Sequence, residues 1–194
     1  GGHMVHALSR YGFRVAAAKV TGTASGKDAR FYLSAGARPV CDFVDAGYPS
    51  TFMLSIDELL SVYTRLVANL RATQPDVVVV EIADGIFQRE TRMMLESPAF
   101  RSSIDHMFFA AGDSLSIESG VRFLRALNLP LRATSGLITT SPLASREAEA
   151  ETSVPCLGLD DMLSGKLLDV LGMRLMTAAS MIDGMDHEPA AWIA

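Results

Sequence analysis

Short, nearly continuous apolar runs alternate along this chain with stretches whose apolar residues recur every three or four positions. The runs are Phe13–Val20, Pro39–Val44, Val77–Ile82, Ile104–Ala111, Leu129–Thr134 and Val154–Leu159. Each predicts a strand. Val77–Ile82, rich in β-branched residues, is what a central strand covered by helices on both faces requires. The clearest helix begins at Ser55-Ile-Asp-Glu58, a capping box in which the serine hydroxyl and the glutamate satisfy each other's backbone amides. Ile56, Leu59, Leu60, Tyr63, Leu66, Val67 and Leu70 then keep helical periodicity.

Val5–Tyr11 predicts the tail of a helix stopped by Gly12, and Asp28–Ala35 a short helix ending at Gly36. Leu115, Ile117, Val121, Leu124 and Leu127 place a helix after Gly112-Asp113-Ser114. Ser141-Pro142 opens another, with proline at the first helical position. Asp161–Ser180 is mostly helical, with Gly165 and Gly172 as weak points. Strands alternating with helices predict an α/β fold with a mostly parallel sheet and helices on both faces. One domain over 5–182 is expected. Gly1–Met4 reads as an expression-tag remnant outside the fold, and 183–194 as a loosely ordered tail.

Composition narrows the function. A hydrophobic content of 49% with 20% charged residues is ordinary for a globular domain. The net charge of -5, without a basic run, argues against a nucleic-acid partner held through phosphates. The two cysteines, Cys41 and Cys156, lack metal-ligand or disulfide-framework spacing and fit a reducing cytoplasm. No apolar run reaches the roughly 18 residues that a membrane span needs, so no membrane partner is expected.

Candidate chemistry gathers where the strands end. Lys19, Asp28, Glu81 and Asp84 lie at or just beyond the carboxyl ends of two buried strands, where open α/β sheets bind ligands. A carboxylate such as Glu81 can coordinate a cation, position a water or cap the next loop; it can equally pair with Lys19 and close the sheet edge. Lys19 needs a partner or an aqueous crevice for its ammonium. Asp45, Tyr48, Ser50 and Thr51 form a polar loop cluster that either closes over a substrate or makes ordinary turns. Gln88–Thr91 either faces the same crevice or is a solvated first helical turn. Asp113 and Ser114, and Ser135 and Ser141, fall where base or ribose contacts are placed, and each also sits where a helix cap belongs. No Ser/His/Asp triad can be assembled from the four histidines. Gly22-Thr-Ala-Ser-Gly26-Lys27-Asp28 departs from the phosphate-loop motif at Thr21 and at Asp28, which replaces the magnesium-binding hydroxyl.

The order of these motifs resembles dethiobiotin synthetase and the cobyrinic-acid-amidase relatives among P-loop NTPases. Gly12-Phe-Arg-Val-Ala-Ala-Ala-Lys19-Val-Thr-Gly-Thr-Ala-Ser25-Gly26 is similar to the family's strand and its Lys-Pro-Val-x-Ser-Gly turn. Val80-Glu81-Ile-Ala-Asp84-Gly85 echoes its Val-Glu-Gly-Ala-Gly-Gly. Asn128-Leu-Pro-Leu-Arg-Ala-Thr134 and Val154-Pro-Cys-Leu-Gly158 extend the likeness. The family's phosphate-binding loop has no counterpart ahead of Gly12, so the resemblance implies a P-loop NTPase-like domain truncated or degenerate at its N-terminus.

The resemblance further implies an ATP-dependent, ligase-like activity on a small carboxylate- or amine-bearing metabolite, with Mg2+ as cofactor and ATP only if a phosphate loop is supplied. A non-catalytic ligand-binding or regulatory domain is the alternative. Lys19 and Glu81 would be catalytic, Asp28 and Glu81 would hold the metal, and Lys19, Thr21, Ser25, Asp45, Ser50, Thr51 and Asp84 would line the substrate side. Asp113 and Ser135 would meet the nucleotide. A missing first strand would leave an apolar edge beside the Val77 strand, which predicts a homo-oligomer.

Overall fold

The runs around Ala17 and Val79 become neighbouring strands at the centre of a parallel sheet. The computed structural model describes residues 1–174 and 191–194, and these group into two units where the sequence pattern predicts one. The first, Gly1–Ser103 with the C-terminal strand, contains α1 (Gly2–Arg10), β1 (Val15–Lys19), α2 (Lys27–Ala35), β2 (Val40–Asp42), α3 (Ile56–Arg71), β3 (Val77–Glu81), α4 (Arg89–Glu96) and α5 (Pro98–Arg101). The second, Ile104–Arg174, contains β4 (Met107–Ala110), α6 (Ser114–Ala126), β5 (Leu131–Ser135), a 3-10 turn (Leu137–Thr140), α7 (Pro142–Thr152), α8 (Leu159–Leu163) and α9 (Lys166–Leu171). A last strand, β6 (Ala191–Ile193), returns to the first unit.

In the first unit the sheet order is β2-β1-β3-β6, all parallel. Val77–Val80 are buried, as are Ala16, Ala17 and Ala18 on β1. The expected capping box closes on α3: Glu58 N–H donates to Ser55 Oγ at 3.3 Å, and Ser55 N–H to Glu58 Oε2 at 2.8 Å. Leu59, Val62, Tyr63, Leu66 and Leu70 form the buried stripe of that helix. At the amino ends of β1 and β3, Arg14 grips Asp76 through its backbone amide at 2.7 Å and its guanidinium at 2.6 Å.

Three expectations change here. Gly2–Met4, set aside as a tag remnant, form the first turn of α1, and Met4 is buried. The tail is not loose throughout, because 191–193 pair with Val77–Val79 and bury Trp192 and Ile193; the rest of it lies outside the described residues. β6 therefore covers the edge of β3 that was expected to be open. Pairing of backbone groups and burial of an indole explain why so short a strand holds.

The second unit has β4 and β5 in parallel, with a single bridge from Thr134 to Cys156 in place of the expected last strand. Ile117, Val121, Ile138, Ala148 and Val154 fill its core. Gly136 at φ +105 lets β5 turn beside β4, since a Cβ there would lie 2.5 Å from the Ala111 carbonyl oxygen. The helix predicted over 161–180 is split: Gly165 and Gly172 both take left-handed conformations, one separating α8 from α9 and the other ending α9. Its predicted continuation beyond 174 lies outside the described residues. Among the described residues no helix is long and apolar enough to cross a membrane.

Candidate functional site: a lysine among three carboxylates

β1 and β3 end level with each other, and that register builds the site. Lys19 is paired in register with Glu81 on one side and with Asp42 on the other. Because side chains alternate along a strand and neighbouring strands share their pleat, these three project from one face of the sheet. Val20 N–H donates to the Glu81 carbonyl at 2.9 Å, fixing the level of the two ends.

The Lys19 ammonium forms an ion pair with Asp28, in the first turn of α2. Its side chain is 15% exposed and that of Asp28 38%, so the pair is mostly shielded on the lysine side. Burial alone would lower the Lys19 pKa. The Asp28 hydrogen bond and the charges of Glu81, Asp28 and Asp84 outweigh it and hold the ammonium above the ordinary lysine value. Glu81 moves the other way from most paired carboxylates. Burial lifts its pKa, the charges of Lys19 and of the Gly1 amino group oppose the rise, and those of Asp28 and Asp84 add to it. The sequence left open a Lys19–Glu81 pair closing the sheet; instead Lys19 bonds Asp28, and Glu81 is its charged neighbour.

Gly22 makes room for this arrangement. At φ +133 it turns the chain after β1, and a Cβ there would stand 3.1 Å from Lys19 Cε. Its own amide donates to Thr51 Oγ1 at 2.9 Å, while its carbonyl accepts from Thr51 N–H at 2.9 Å. Thr23 and Ser50 form an antiparallel bridge, and Ala24 N–H donates to the Pro49 carbonyl at 3.0 Å. The amides of Gly22 and Ala24 are thus engaged by the 49–51 loop. That supports the turn reading of this segment over a phosphate cradle.

The other predicted residues fall into three places. Thr21 is buried; its hydroxyl accepts from Ala83 N–H at 2.9 Å and holds the loop that carries Asp84. Asp45 is exposed and accepts from Asp42 N–H at 2.8 Å, the ordinary turn role. Together with Ser25, Gly26 and Asp42 it lines an open depression of about 530 Å³. Asp113 and Ser135 belong to the second unit, at the carboxyl ends of β4 and β5. Asp113 caps α6 by accepting from Ser116 N–H at 2.8 Å, a bond that lowers its pKa. Ser135 Oγ donates to the Leu157 carbonyl at 2.7 Å, and Ser141 caps α7.

The sequence left Gln88–Thr91 open between a crevice-facing segment and a solvated turn, and burial decides against the second: Glu90 and Thr91 are buried. Glu90 Oε1 accepts from Met53 N–H and from the Arg89 guanidinium, both at 2.8 Å, and Gln88 Nε2 donates to its other oxygen. Burial pushes the Glu90 pKa up, but these bonds prevail and keep it below the ordinary carboxylate range. Thr91 Oγ1 donates to the Ala83 carbonyl at 2.6 Å. The loops after β1, β2 and β3 are therefore bound into one frame around Lys19. The signal was the spacing of Thr91, Met94 and Leu95, which places Thr91 on the buried face of α4.

Among the described residues no group of three or more His, Cys, Asp or Glu side chains is gathered as a complete metal cage. Magnesium keeps several waters and takes one or two protein carboxylates, and Asp28 and Glu81 are the residues that could supply them. No family model matches this chain, and no curated protein matches it either.

Proposed function

We propose that the first unit carries the substrate- and magnesium-binding part of an ATP-dependent enzyme acting on a small carboxylate- or amine-bearing metabolite. The observation that carries this reading is the charge balance at the ends of β1 and β3. The Lys19 ammonium and the amino group of Gly1 stand among the charges of Asp28, Glu81 and Asp84, two cations against three carboxylates, so the cluster keeps excess negative charge. A divalent cation offsets that excess and favours the ionised form of Glu81, which burial otherwise resists. Asp28 and Glu81 would hold the cation, and Lys19, now paired with Asp28, would be free to meet an anionic oxygen of the ligand. Magnesium would supply charge neutralisation at that oxygen; Lys19 would orient it.

Thr21, Ser50 and Thr51 take a supporting part in this reading, because their hydroxyls tie the surrounding loops together. Titration calorimetry with inorganic phosphate and with acetate, each with and without Mg2+, tests the proposal. Binding should require Mg2+ and should be lost in Lys19→Met. Equal binding without Mg2+, or in Lys19→Met, would refute it.

A further inference from the structure

The frame around Lys19 also carries an apolar rim. Phe52 is 73% exposed, Met53 64% and Phe87 64%, an unusual density of large apolar side chains for two short loops. Single exposed apolar residues are unremarkable on a protein surface, but a contiguous group marks a contact site. The chain does not leave them out by default. Met53 has φ +65, a left-handed conformation that a methionine rarely adopts. It is fixed there by its amide's bond to buried Glu90 at 2.8 Å, while Arg89 donates to the next carbonyl, Leu54, at 2.9 Å. Phe52 N–H donates to Ser50 Oγ at 3.1 Å.

Backbone bonds tie the two loops that carry the rim to the charged cluster. Phe52 directly follows Thr51, which is bonded to Gly22, whose Cα faces the Lys19 stem. Phe87 lies between Ala83, bonded to Thr21, and Glu90, bonded to Met53. The loops that carry Phe52, Met53 and Phe87 are thus tied to the frame around Lys19, and buried Glu90 fixes the backbone of Met53. Phenyl rings favour edge or offset stacking on another ring, and a thioether sulfur favours a ring edge.

We infer that Phe52, Met53 and Phe87 form the specificity wall of the Lys19–Glu81 site and select an anion bearing an aromatic ring. This rests on the proposed function, since the head site must hold the anion for the wall to select its body. Phe52 and Phe87 are specificity-determining residues, and Glu90 is a positioning residue that acts through Met53.

Calorimetry in Mg2+ on matched pairs tests it: inorganic phosphate against phenyl phosphate, and acetate against phenylacetate. In the wild type the ring-bearing member of each pair should bind more tightly, by on the order of tenfold for a half-buried ring. Phe52→Ala with Phe87→Ala should erase that ratio, leave phosphate and acetate affinities unchanged, and leave the melting temperature unchanged. Equal affinities within each pair in the wild type, or a ratio that survives the double substitution, would overturn the wall while leaving the head site standing. If no anion binds in Mg2+, the head site and the wall fall together. If light scattering shows a dimer that the double substitution dissociates, the rim is a contact between copies and the inference is wrong.

Discussion

Lys19 and Glu81 are register partners at the last positions of β1 and β3, yet the lysine bonds Asp28 rather than the glutamate beside it. At the opposite ends of the same strands Arg14 and Asp76 pair directly. One end of the strand pair is closed by an ion pair, and the other keeps a carboxylate whose charge burial disfavours. A group held in that condition is a common mark of a ligand site.

Two glutamates should give stability opposite pH dependences. Glu81 has its folded-state pKa raised, so its contribution is greatest when protonated and is lost as pH rises through the folded value. Glu90 has its folded-state pKa lowered, so its contribution is present above the unfolded value and is lost as pH falls through the folded one. Denaturant melts from neutral pH downward should show Glu81→Gln removing the gain on mild acidification. Glu90→Gln should remove the loss that sets in below about pH 5. Because Glu90 is buried with its bonds made, Glu90→Gln should also cost about 1–3 kcal/mol at pH 7.

Gly22→Ala should disturb the site before it disturbs the fold. A left-handed conformation costs an alanine roughly 1–2 kcal/mol, and its Cβ would crowd Lys19 Cε. The expected result is a modest fall in stability with a larger loss of anion affinity, read by melting and calorimetry on one preparation.

Trp192, the single tryptophan, reports on the sheet edge. It is buried in register with Val78, and the Arg71 guanidinium stands 4.5 Å from its ring centroid. Trp192→Ala should cost about 3–5 kcal/mol, as truncation of a buried aromatic does. It should also raise light scattering, because the edge of β3 loses its cover. Stability and scattering close to wild type would show that β6 is dispensable.

Much of this frame was legible in the residues. The run at Val77–Glu81, the capping box at Ser55 and Glu58, and the glycine stop at Gly36 are local signals, each settled within a few residues. β6 was not legible, since Ala191–Ile193 is too short to read as a strand without its partner, Val77–Val79. The place of Glu90 stayed open for a related reason: its partner Met53 is 37 residues distant, and Gln88-Arg-Glu-Thr91 has a composition that also suits a solvated turn. The charged site was half legible. Strand ends placed Lys19 and Glu81, but only the register and the start of α2 decide that Asp28 takes the ammonium.

The most direct test of the central claim is the melting temperature of the full chain with and without Mg2+, for the wild type and for Glu81→Gln. The substitution keeps the shape of the side chain and removes the charge that a cation would meet. Mg2+ should raise the melting temperature of the wild type, further with phosphate present, and should leave Glu81→Gln unmoved although that variant is folded. The same Mg2+ shift in both proteins, or none in either, would contradict the claim.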